Sequence, residues 1–178
     1  MITSVLVALD GSATSNAALR VALDLARDRD ATLTGLHVID DRGIVINLRE
    51  GQLPAEYFHK LYAAMRKRGQ SVLKKAEAVA RKAGVPMTAV LADAGGKMVA
   101  QAILDQSRKM KPDLIVMGTH GRRGIARAIM GSDAEEVLRE TNIPMLFVRS
   151  PRYPKRRNVP LPLMGRRRPG MAVGATRP

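Results

Sequence analysis

The sequence predicts an α/β fold: one doubly wound, open sheet of five parallel strands with helices on both faces, followed by a basic tail. Three observations carry this. Short apolar, β-branched runs alternate along the chain with stretches of helical periodicity. The early runs show little polar–apolar alternation, as expected of strands covered on both faces. Strands also end in glycine and serine just before a helix, the connection found at the ligand-binding edge of such sheets.

In order, residues 2–9 form the first strand, which stops at Asp10-Gly11-Ser12, where Ser12 or Thr14 can cap a helix over 13–29. That helix turns Ala17, Leu19, Val21, Leu23, Leu25 and Ala26 towards the core. Residues 32–39 form the second strand, ending at Asp40-Asp41. The stretch 42–54 carries a weak signal and is expected to be a loop. A long helix over 55–83 shows Phe58, Leu61, Tyr62, Met65, Val72, Leu73, Ala76, Val79 and Ala80 at 3.6-type spacing, and Gly84 ends it. The third strand spans 86–91, a turn follows at Asp93-Ala94-Gly95-Gly96, and a helix over 97–110 presents Val99, Ile103 and Leu104. Lys111-Pro112-Asp113 opens the fourth strand at 114–117. A glycine-bearing loop leads to a helix over 133–142, N-capped by Ser132 or a neighbour, and Asn142-Ile143-Pro144 turns into the last strand, 145–148.

The chain of 178 residues suits a domain over 1–150 with a tail over 151–178. With no cysteine there is no disulfide framework, thiolate metal site or cysteine nucleophile. The opening residues lack a basic n-region, so no signal peptide is expected, and no apolar run approaches the ~20 residues of a membrane span. The expected localisation is cytoplasmic. Net charge is +14, but the tail holds eight of the 30 basic residues and no acid, leaving +6 for residues 1–150. Arg152, Lys155, Arg156, Arg157 and Arg166 to Arg168 sit among prolines and glycines, a composition expected to be disordered. Such a tail attracts nucleic acid, an anionic surface or an acidic partner by charge. With Tyr153 its single aromatic residue, a dedicated nucleic-acid-reading module is not expected.

The motif with most chemical content is Gly118-Thr119-His120-Gly121, followed after nine residues by Gly131-Ser132. Strand, glycine loop and helix N-terminus together suit a phosphate: glycines let the backbone approach, and the first helical turn offers N–H groups. Arg122, Arg123 and Arg127 lie within this loop and either offset phosphate charge or remain solvated. Asp10, Val38, Ile39, Met117 and Gly118 are all strand ends and should gather at one sheet edge.

These residues resemble the universal stress protein family. The resemblance runs through the opening Val5-Leu6-Val7-Ala8-Leu9-Asp10-Gly11-Ser12, the segment from Asp113 to Gly121, and Asn142 to Val148. The spacing Gly118-x2-Gly121-x9-Gly131-Ser132 is similar to that of the family's ATP-binding branch. The resemblance implies a Rossmann-like fold of the adenine nucleotide alpha hydrolase type and a regulatory role in stress response. It implies that Asp10 lies near ribose and base, that Val38 packs on adenine, and that Met117 and Gly118 line the base and ribose. Gly121, Gly131 and Ser132 would then hold the phosphates. It further implies ATP as ligand, with Mg2+ bridging the phosphates, and a homodimer formed through the last strand, Met145–Val148.

Asp133 departs from the small apolar residue common in family binders. It is read first as a favourable first-turn acid and second as a residue that helps hold a metal. His120 structures its turn or bonds the ligand; His37 is a satisfied core or rim histidine; His59 lies on a helix surface. Asp40 and Asp41 are turn residues before they are metal neighbours, and Tyr57, Phe58, Leu61, Tyr62 and Met65 form core or dimer packing. No P-loop lysine is present, so binding a nucleotide is favoured over hydrolysing it, with slow ATPase or phosphotransfer activity the alternative.

Overall fold

The computed structural model describes residues 1–51, 54–119 and 130–149. Ten elements follow one another: β1 (Ser4–Ala8), α1 (Ala13–Arg29), β2 (Thr32–Ile39), α2 (Arg42–Arg49), α3 (Ala55–Lys82), β3 (Met87–Asp93), α4 (Val99–Met110), β4 (Leu114–Gly118), α5 (Ser132–Glu140) and β5 (Met145–Val148). The five strands form one sheet in the order β3-β2-β1-β4-β5, and every pairing is parallel. The fold is a doubly wound, Rossmann-like α/β sheet. Strand order reverses at β1, which lies between β2 and β4.

Strand composition explains the two-sided core. Val5, Leu6, Val7, Ile115 and Val116 are fully enclosed, as apolar runs covered on both faces must be. On one face Val5, Val7 and Leu33 meet Ala18, Ala22 and Leu23 of α1 and Leu73, Ala76 and Ala80 of α3. On the other, Leu6, Leu36, Ile115 and Met117 meet Ile103 and Leu104 of α4 and Ala134 and Val137 of α5. Ser12 caps α1 by accepting the Ser15 amide at 3.1 Å, while Asp30 and Lys111 end α1 and α4 in the left-handed region. Asp113 ties the start of β4 to β1: one carboxylate oxygen accepts the Thr3 amide, the Thr3 hydroxyl and the Ser4 amide at 2.7, 2.8 and 3.0 Å.

Two expectations are corrected. The stretch expected to be a loop contains α2. Its β-branched Ile44, Val45 and Ile46 are poor helix formers, so the sequence signal is weak. Tertiary contacts supply what propensity lacks: Ile44, Val45 and Leu48 are half-buried, and Val45 packs on Gly96. Buried Asp41, which precedes the helix, accepts the Gly96 amide at 2.9 Å.

The aromatic ladder of α3 is also not core. Tyr57 and Leu61 are exposed and Phe58, Tyr62 and Met65 only half-buried; the buried residues of this helix are Gly69, Leu73, Ala76 and Ala80. Length is the reason. The 28 residues of α3 extend about 42 Å, whereas the eight of β2 span about 26 Å. The N-terminal turns of α3 therefore overhang the sheet at its C-terminal edge, where Phe58 and Tyr62 stack on each other with ring centroids 5.8 Å apart. Smaller differences are shifts of element ends, such as β3 following β2 as far as the Ile39–Asp93 pair.

Candidate functional site

At the switch point the C-terminal ends of β1, β2 and β4 open into a cavity of about 820 Å³. This is where a doubly wound sheet presents a crevice, because the connections from β1 leave in opposite directions. Asp10, Val38, Met117, Gly118, Gly131, Ser132 and Asp133 all line it. Gly121, Arg122, Arg123 and Arg127, together with His120, lie outside the described residues.

Each wall follows from local sequence. Asp10 leaves β1 and its carboxylate accepts the Ser12 amide at 2.9 Å, an Asx-type turn that fixes the entry to α1. Gly118 ends β4 directly against α1. A Cβ there would stand 2.9 Å from both the carbonyl carbon and the Cβ of Thr14, so a side chain would force the strand end and helix apart. Beyond it, the Thr119 amide donates to the Val148 carbonyl at 3.0 Å, and the Gly131 amide donates to the Thr119 carbonyl at 2.8 Å. The chain thus leaves the sheet and re-enters α5 at a hydrogen-bonded neck. Gly131 is the N-cap of α5, which begins at Ser132; the N–H groups of its first turn have no acceptor within the helix.

Opposite this polar wall the lining is apolar: Leu36, Val38, Ile103 and Met117 form the floor, and Ile46 and Met98 stand at the mouth. The cavity therefore has one half suited to a flat apolar ring system and one suited to an anion. Size and lining fit a nucleotide. Among the described residues no three of His, Asp or Glu come together to hold a metal, so a divalent ion here would take most of its ligands from phosphate oxygens.

Several lining residues were not singled out from sequence. Ser15, Arg42, Gly43, Ile46, Met98, Thr119 and Met130 all face the cavity. The apolar run Ile44-Val45-Ile46 was a usable hint to α2; Met98 gave none, being one methionine before a helix. His37 is buried, and its Nδ1 lies 2.6 Å from the Leu9 carbonyl, immediately before Asp10. Gly69 of α3 makes room for that ring: a Cβ there would lie 2.6 Å from His37 Cδ2. Asp41 is a turn and tether residue, and Asp40 lines the cavity. No described helix is long and apolar enough to cross a membrane.

Known proteins with this sequence and architecture agree with one another. A universal stress protein of Methanocaldococcus jannaschii is 33% identical over 149 residues, covering 83% of this chain and 82% of its own. A solved protein of the universal stress protein family from Burkholderia pseudomallei superposes with a TM-score of 0.64 at 32% identity, covering 83% of this chain and 96% of that one. A universal stress protein of Archaeoglobus fulgidus, solved in complex with dAMP, shares the fold at 22% identity with a TM-score of 0.57, covering 83% and 98%. The sequence model of the universal stress protein family matches residues 1–149. This chain belongs to the universal stress protein family.

Proposed function

We propose that this protein is an ATP-binding regulator of a stress response, acting through a nucleotide-dependent change in conformation or partner binding. One observation carries the reading: a cavity of about 820 Å³ at the switch point pairs an apolar floor with the N-terminus of α5. In this reading adenine lies between Val38 and Met117, ribose lies near Asp10 and Gly118, and the phosphates run towards Gly131 and Ser132. Mg2+ would travel with the phosphates. The relative that holds dAMP supports an adenine ligand for this fold, and the spacing from Gly118 to Ser132 supports a triphosphate. When bound, the nucleotide brings α2, β4 and α5 into contact with one molecule, so its arrival stabilises their mutual position.

Thermal unfolding with AMP and with ATP plus Mg2+ tests this. Ligand at about 100 Kd adds about 2.7 kcal/mol, which raises Tm by roughly 5–10 °C for a chain of this size. Gly131→Asp should abolish the shift. No shift with either nucleotide rejects the proposal.

The same reading includes a homodimer through β5. This strand ends the sheet, and its Met145, Leu146 and Phe147 are only half-buried within one chain. Size-exclusion with light scattering should return the mass of two chains; a single-chain mass at micromolar concentration removes it.

A further inference from the structure

The first turn of α5 contains a carboxylate where a phosphate would be expected to seek the helix N-terminus. Ser132 and Asp133 are the first two residues of that helix, and both line the cavity. A helix N-terminus carries about half a positive charge and attracts an anion. Here the helix brings its own anion, half-buried on the cavity wall. Asp10 and Asp40 line the same cavity from the ends of β1 and β2, while Arg42 is the one cationic residue among its described lining. An incoming phosphate chain thus meets carboxylates on three sides, whereas a neutral nucleoside gains the apolar floor of Leu36, Val38 and Met117 without that repulsion.

We propose that Asp133 sets a charge filter on this pocket, so that adenine nucleotides with few phosphates are favoured over the free triphosphate. The inference rests on the nucleotide reading and narrows its ligand class to adenosine and its monophosphates when no divalent cation is present. Asp133 is the specificity-determining residue because it lies nearest in sequence to the Gly131-Ser132 turn and sits at the positive end of α5. Each further phosphate adds about one negative charge near a half-buried carboxylate. At the effective dielectric of such a position the repulsion is large enough to divide affinity by about ten.

The test is isothermal titration of the full chain with adenosine, AMP and ATP in EDTA, for the wild type, Asp133→Asn and Asp133→Glu. The quantity read is the ratio of ATP affinity to AMP affinity. It should rise about tenfold in Asp133→Asn, which keeps the size of the side chain, and stay low in Asp133→Glu, which keeps the charge. A ratio equal in wild type and Asp133→Asn overturns the filter and leaves the nucleotide reading standing. Binding of none of the three ligands by any of the three proteins overturns both.

Discussion

At the scale of single residues, Gly118 and His37 show how closely packing and the pocket are joined. Gly118 is the only side-chain-free position at the end of β4, and Thr14 of α1 fills the space a Cβ would need. Gly118→Ala should lower stability by about 1–3 kcal/mol, the usual range for overpacking a tight contact, measured by urea denaturation. It should weaken nucleotide binding at the same time, because the strand end and helix it pushes apart both line the cavity. A variant as stable as the wild type would show that Thr14 yields without cost. His37 acts from behind the wall: its ring holds the Leu9 carbonyl, so the backbone turns into Asp10 from a fixed point. Its spacing within an apolar strand marked it as a core histidine, and the sequence could not give its partner. That partner lies on another strand, 28 residues away.

At the scale of elements, α2 is the least self-sufficient piece of the fold. It buries no residue completely and is held by Asp41 bonding to Gly96, with Val45 lying on the same turn. Gly96 adopts φ +79°, which costs a side-chain-bearing residue about 1–2 kcal/mol, and an added Cβ would stand 2.9 Å from Val45 Cγ1. Gly96→Ala should therefore loosen α2 more than the sheet. Hydrogen exchange should show α2 amides opening about tenfold faster, the equivalent of about 1.4 kcal/mol, with β1 and β4 amides little changed. Unchanged exchange in α2 would mean that the tether is not what holds it. This element was the least legible in the sequence, since Ile44, Val45 and Ile46 disfavour the helix that their packing imposes. The C-terminal part of α3 was legible because Leu73, Ala76 and Ala80 repeat on one face; its overhang was not, because strand lengths decide it.

At the scale of the whole molecule, the legible part of the sequence is its alternation. Apolar runs such as Val5-Leu6-Val7 and Ile115-Val116 announce buried parallel strands, and the glycines after them announce the ligand edge. Strand order was not legible from such runs, which look alike whichever neighbour they take. Closure of the sheet also depends on the clasp at its opposite end, and that clasp gives it an acid limit. Hydrogen bonds from the Thr3 amide, then the Thr3 hydroxyl and the Ser4 amide, hold the Asp113 carboxyl below its ordinary pKa. Asp105 is lowered likewise, chiefly by its hydrogen bond with Lys97. A carboxyl depressed in the folded state stabilises above its unfolded pKa of about 3.9. That contribution is lost as pH falls through the folded value. Comparing wild type with Asp113→Ala by urea titration, the stability difference should be present at pH 7 and shrink below about pH 4. A difference independent of pH would assign the effect to Thr3 packing instead. The central place of β1 also has a consequence in time. This strand leaves the ribosome first, yet its pairing with β4 must wait for residues about 109 positions later. Until then β1, β2 and β3 have a bare flank, and the hollow between β1 and β4 has not been built. Nucleotide capture is therefore a late event in the life of each nascent chain, open only to molecules whose sheet is already complete.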